Sequence, residues 1–202
     1  MRSFLCVAAM AALALALPRT ASAQPNDFAR RDQVNRDGFI IGFSVGGGHL
    51  SADCEGCGDS LGAFAADLHL GGMINPRLAI TGDVWVLGHS EEIEGLDGDL
   101  IVTQAIVTAN ARYWIAPIFW AQAGIGAAQL GYRFDSSTVN VEDESDTAPA
   151  ITLGAGIEAI QSDTFTLDIQ LRFGAGFYTE DDGVNQDTTV RNLSLSAGFN
   201  WY

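Results

Sequence analysis

The sequence predicts an all-β protein, an eight-stranded antiparallel up-and-down transmembrane β-barrel. Three observations predict it. Apolar residues alternate with small or polar ones through most of the chain, which is the two-residue period of a strand. The connections between these segments alternate in length, long and acidic, then very short. The second parity is built from Gly, Ser, Thr and Asn rather than from the long charged groups that usually face water.

The chain opens MRSFLCVAAMAALALALPRTASA. Arg2 supplies a positive start, residues 4–17 an apolar stretch, and Ala21-Ser22-Ala23 a small-residue cleavage site. Residues 1–23 therefore read as a secretory signal peptide cut before Gln24. Cys6 lies inside the apolar stretch with no lipobox around it. Removing the signal leaves 179 of the 202 residues, the size of one domain. No later apolar run approaches the roughly 20 residues of a transmembrane helix. Residues 24–37, QPNDFARRDQVNRD, are polar and aperiodic and read as an N-terminal linker. Residues 38–202 form the barrel domain.

Eight strands follow in order. The first, near 38–50, has the apolar parity Phe39, Ile41, Phe43 and Val45. The second, 61–74, has Phe64, Ala66, Leu68 and Leu70; the third, 78–89, has Leu78, Ile80, Val84 and Val86. The fourth, 100–115, carries Ala105, Val107, Ala109, Ala111 and Tyr113. The fifth, 118–133, carries Phe119, Ala121, Ala123 and Ile125, and its parity slips between Ile125 and Tyr132. The sixth, 150–160, has Ile151, Leu153, Ala155 and Ile157. The seventh, TFTLDIQLRFGAGFY at 164–178, sets Phe165, Leu167, Ile169, Leu171, Phe173 and Phe177 against Thr166, Asp168, Gln170 and Arg172. The eighth, 190–202, has Leu193, Leu195, Ala197, Phe199 and Trp201.

Long loops occupy 51–60, 90–99, 134–149 and 179–189, whereas short turns occupy 75–77, 116–117 and 161–163. In an antiparallel series odd connections share one end and even ones the other. All long loops thus emerge together, an asymmetry of transmembrane barrels. Small residues such as Gly42, Ser44, Gly46, Thr152, Gly154, Ser194 and Ser196 suit a narrow interior, because eight strands leave space for little beyond side chains. The apolar parity then faces lipid. Tyr113, Trp114, Phe119, Trp120, Phe165 and Trp201 gather by the short turns as an interfacial girdle. Backbone amides in hydrocarbon have no water, so the last strand must pair with the first.

These features resemble the small eight-stranded outer-membrane β-barrel family of Gram-negative bacteria, the OmpA/OmpX-type and opacity-like group, over roughly 38–202. Its carriers are the signal, the strands, the loop asymmetry and the aromatic ending NLSLSAGFNWY. The resemblance implies residence in the outer membrane as a monomer. It also implies a C-terminal signal read by the barrel-assembly machinery, here Phe199, Trp201 and the overhanging Tyr202.

The interior parity holds Asp67, His69, Asp83, Arg112, Glu158, Asp168 and Arg172. Buried charges persist only when paired. Arg112, Glu158 and Asp168 each sit about four residues from a short turn, so an Arg112–Glu158/Asp168 network is expected, with Arg172 nearer Asp67 or Asp83. Such a network plugs the lower lumen or, as the resemblance suggests, gates it. Cys54 and Cys57 in Cys54-Glu-Gly-Cys57 are expected to close a loop disulfide in an exported protein. Zinc would need further ligands, and His49 alone supplies a weak one.

His49-Leu50-Ser51 matches the H-x-S pair of outer-membrane lipid A deacylases, but no acid accompanies it and its position is too early. A polar rim is the better reading, so no catalytic residue and no cofactor is expected. Without its signal the chain has eight arginines, no lysine and 25 acids, a formal charge of −17. That excludes nucleic acid as a natural partner. The acids cluster in the long loops (Glu91, Glu92, Glu94; Glu142, Asp143, Glu144; Glu180, Asp181, Asp182) without calcium-loop spacing. Divalent bridging to surface lipopolysaccharide is the modest functional reading. Three functions follow: a surface or structural barrel with a largely filled lumen, a narrow porin for water or very small solutes, and a lipid A-modifying enzyme.

Overall fold

The computed structural model describes residues 34–53, 60–92, 98–136, 140–179 and 187–202. The signal peptide, the Cys54/Cys57 pair and the acidic residues Glu94, Glu180, Asp181 and Asp182 lie outside the described residues. Among the described residues there are nine strands: β1 (Phe39–Asp53), β2 (Leu61–Asn75), β3 (Leu78–Glu92), β4 (Gly98–Trp114), β5 (Phe119–Ser136), β6 (Asn140–Glu144), β7 (Ala148–Gln161), β8 (Phe165–Tyr178) and β9 (Thr188–Trp201).

Eight of them close into a barrel in the order β4-β3-β2-β1-β9-β8-β7-β5, with β5 returning to β4. Every pairing is antiparallel, and the closing pair runs from Ile41↔Trp201 to Asp53↔Thr189. This is an eight-stranded antiparallel barrel, as the alternation predicts. Closure leaves no unpaired edge inside hydrocarbon.

Side-chain direction separates the two parities. Phe43 is 49 %, Leu68 51 %, Ile125 73 % and Leu195 60 % exposed on the outside, while Ser44, Thr108, Gln170 and Asn192 are buried within. In β8 the same rule puts Ile169 and Leu171 outside and Asp168 and Arg172 inside. No water-soluble sheet would expose the oily face of all eight strands. The oily face meets lipid.

The structure revises three local expectations. The segment 134–149 is not simply a loop: β5 runs on to Ser136, and β6 folds back along it with Gly131↔Glu144 and Phe134↔Val141 in register. Amides beyond the membrane can bond to water, yet here β5 and β6 bond to each other and extend the wall outward. The apparent slip in β5 is no slip, since β4 and β5 stay in register from Trp114↔Trp120 to Gly98↔Ser136. Ala128 and Leu130 simply belong to the inward parity, where both are buried. Finally, Trp114 and Trp120 do not join the girdle. Both are buried inside, whereas Tyr113, Phe119 and Trp201 are exposed at the turn end as expected.

Outside, Phe199 stacks on Phe43 and Phe165 at 5.9 and 5.3 Å and meets Trp201 edge-on at 4.3 Å. These aromatic contacts fasten β9 to both of its neighbours near the turn end.

Candidate functional site

The interior is built in four levels. At the turn end Ile40, Ala79, Trp114 and Trp120 form an apolar cluster, with Tyr202 packed against it. Glu158 lies among them and accepts from Trp114 Nε1 at 2.7 Å, from Tyr202 Oη at 3.1 Å and from Gln161 Nε2 at 2.5 Å. Its cation is Arg36, which pairs with Oε2 and also donates to the Pro117 carbonyl at 2.8 Å. Arg36 is buried although it precedes the first strand.

One level up, Arg112 projects from β4 over the face of Trp120, 4.3 Å from the ring centroid. It donates through Nε to Gln122 Oε1 at 2.9 Å and through Nη1 to Asn200 Oδ1 at 3.0 Å. His69 Nε2 lies 2.8 Å from the same Asn200 oxygen. Asp168 accepts from Trp120 Nε1 at 3.1 Å and from Asn200 Nδ2 at 3.2 Å. The expected Arg112–Glu158 pair is therefore not made. Arg36 takes Glu158, and Arg112 reaches the Asp168 neighbourhood through the Asn200 amide rather than by a direct bond.

Above these, Arg172 on β8 crosses the interior to β2 and β3. Nη1 donates to Asp67 Oδ2 at 2.8 Å and Nη2 to Asp83 Oδ2 at 2.7 Å. Ser44 Oγ and Thr81 Oγ1 donate to the remaining carboxylate oxygens at 2.9 and 2.7 Å. Both carboxylates and the guanidinium are almost fully buried. The sequence placed Arg172 near either acid; the fold gives it both.

The upper interior is apolar. Leu50, Trp85, Leu87, Ile106, Leu130, Tyr178 and Val190 pack together there. Gln104 ties this cluster to the wall, donating to Tyr178 Oη at 3.2 Å and accepting from Asn192 Nδ2 at 2.7 Å. Parity alone marked Trp85, Leu87 and Ile106 as inward; the expectation of a small polar lining passed over them. Arg36 carried no periodic signal at all.

The outer rim is simpler. His49 points outward and is exposed, and Ser51 Oγ donates to the Arg191 carbonyl at 3.5 Å. Among the described residues no three His, Cys, Asp or Glu side chains converge as a metal site would require.

A closed eight-stranded wall with an oily outside, a charged inside and all long loops at one end is the arrangement found across one group of proteins. Residues 3–202 match the outer membrane protein beta-barrel domain family. The chain belongs to that family. No curated relative matches the sequence. Among solved structures it is similar to Ail, the attachment invasion locus protein of Yersinia pestis, in its complex with the heparin analogue sucrose octasulfate. That match has 18 % identity and a TM-score of 0.57, covering 81 % of this chain and 99 % of that one. It is also similar to Neisserial surface protein A, with 17 % identity and a TM-score of 0.57, covering 81 % and 96 %. At such identity the likeness shows the fold. This outer membrane barrel protein thus resides in the bacterial outer membrane, with its strands in lipid.

Proposed function

We propose that this outer membrane barrel is a non-enzymatic surface protein whose lumen is shut and whose work is done by its long acidic loops. The observation that carries the reading is Arg172 held between Asp67 and Asp83 in mid-barrel. An ion triad this deep is costly to break, because any opening leaves an unpaired charge in a narrow, poorly hydrated space. The apolar cluster around Trp85 and Tyr178 closes the interior above it, and the Glu158 assembly closes it below. The exposed Trp201 and the aromatic group around Phe199 present the C-terminal strand to the barrel-assembly machinery.

Charge selects the partner class. Ail was solved with a sulfated heparin analogue. This chain, at −17 without its signal, would repel such a polyanion. Its loops suit cationic surfaces, or lipopolysaccharide phosphates bridged by divalent ions. A hydrolase reading gains nothing from Ser51, whose hydroxyl is turned to the Arg191 carbonyl.

One observation favours the narrow-porin alternative. Both amide atoms of Gln170, Asn192 Oδ1 and Ser194 Oγ have no protein partner among the described residues, and they line one side of the interior along β8 and β9. A lane of this kind suits water. Single-channel conductance of the refolded mature protein in a planar bilayer separates the two. Silence from verifiably folded protein supports the shut barrel, and reproducible small openings overturn it.

A further inference from the structure

We infer that the turn end of the barrel is a guanidinium-binding cage, filled in cis by Arg36, through which the N-terminal segment locks the barrel after it has closed. This goes beyond the shut-lumen reading and does not depend on it.

The cage is assembled from four separate places in the chain. β4 supplies Trp114, the β4–β5 turn supplies the Pro117 carbonyl, β7 supplies Glu158 and Gln161, and the C-terminus supplies Tyr202. The Arg36 guanidinium carbon stands 4.9 Å from the Trp114 ring centroid and 5.8 Å from that of Tyr202. Its Nη2 meets the Pro117 carbonyl and the Glu158 carboxylate together. Two aromatic rings, one carboxylate and one carbonyl around a planar cation make a site matched to guanidinium. Both polar contacts come from one nitrogen, so what sets guanidinium apart from ammonium here is the plane it lays on the two rings.

The segment that delivers Arg36 is itself shaped for the purpose. Asn35 N–H donates to the Asp163 carbonyl at 3.3 Å, pinning the segment under the β7–β8 turn. Gly38 then turns the chain into β1 with a φ of +76°, a conformation that a side chain would resist. Nothing lies within 4 Å of where a Cβ would be, so its glycine answers a backbone need and not a steric one. The Gly38 carbonyl accepts from Met73 N–H at 2.8 Å, which fixes the turn against β2.

Order of assembly follows from this composition. Tyr202 is in place only when β9 has zipped onto β8 and β1, and its N–H is then held by the Thr164 carbonyl at 3.0 Å. The cage is complete only in the closed barrel, so Arg36 enters last. A contact made after the closing step stabilises the product without speeding its formation. Its loss raises the unfolding rate and leaves the folding rate alone.

The test uses the full mature chain folded into bilayers. The fraction keeping the mobility of unheated protein on a gel is followed over time at a fixed raised temperature. Arg36→Ala is expected to unfold at least about tenfold faster than the parent, with an unchanged folding half-time. Arg36→Lys should behave like Arg36→Ala, and Gly38→Val should resemble both. Millimolar methylguanidinium should slow the unfolding of Arg36→Ala, while methylammonium should not. The Arg36→Ala/Glu158→Gln pair should be no worse than either single change. An unchanged unfolding rate in Arg36→Ala, full function of lysine at position 36, or rescue by methylammonium as good as by methylguanidinium would each overturn the proposal. Arg36 lies outside every strand, so its variants fold even if Glu158→Gln does not.

Discussion

Arg172 on β8 and Asp83 on β3 meet at 2.7 Å across the interior of the barrel, although three strands lie between them either way round, β7, β5 and β4 on one side and β9, β1 and β2 on the other. No local rule joins these two residues. Barrel closure does, by turning the inward faces of opposite walls toward each other.

Replacing Arg172 with Met strands two buried carboxylates and should cost about 3–5 kcal/mol of stability. The urea midpoint of refolded protein in bilayers reads this directly. Adding Asp67→Asn and Asp83→Asn to the same protein should restore most of the loss, because neutral amides need no cation. A single Arg172→Met protein as stable as the parent would show that the triad holds nothing together.

Gly46 and Gly47 are chain neighbours on β1 and should respond oppositely to alanine. A Cβ on Gly46 would run into the Leu195 carbonyl and come within 2.6 Å of the Ser196 Cα, both backbone and unable to yield. One on Gly47 would point to lipid, with the nearest atom 3.9 Å away. Gly46→Ala should therefore lose about 1–3 kcal/mol. Gly47→Ala should be neutral or gain a few tenths through reduced unfolded-state freedom. Equal midpoints for the two would contradict the tight approach of β1 to β9.

Alkaline solution should weaken the turn end through Tyr202. Burial, and then the neighbouring Glu158 carboxylate, push its phenol above the ordinary range. The unfolded chain releases that proton near pH ~10, while the folded one keeps it to donate to Glu158. Stability from this group is complete below pH ~10 and falls as pH rises beyond it. Tyr202→Phe should flatten that part of the stability profile while lowering the plateau. A profile unchanged in slope would remove Tyr202 from the account.

The conductance measurement and the Arg36 series complete this set. Conductance asks whether the interior is shut, and unfolding rate asks what holds its lower end. The unfolding rate reads the Arg36 lock whatever the conductance measurement returns, so the two answers stand apart.

Much of this was legible before the fold. The period of two in segments such as Leu167–Leu171 assigned strands, and the alternation of long and short connections gave one end the loops. The scarcity of long charged groups opposite the oily parity indicated lipid outside. Each of these is a local property, carried by residues within one strand or one turn, and a linear sequence displays such properties in full. What the chain alone could not show was which inward residue meets which. Arg112 and Glu158 sit at similar depth, yet Glu158 belongs to Arg36. Trp114 and Trp120 look like girdle residues by position, but their parity turns them in, where their indole N–H groups donate to Glu158 and Asp168. Leu130 resembled a break in register until the β4–β5 pairing showed it facing the upper cluster. The composition of each strand determined the faces of the wall. Only closure decided the contacts across it, because the partners of a buried charge are fixed by strand order, stagger and the space that neighbouring side chains leave.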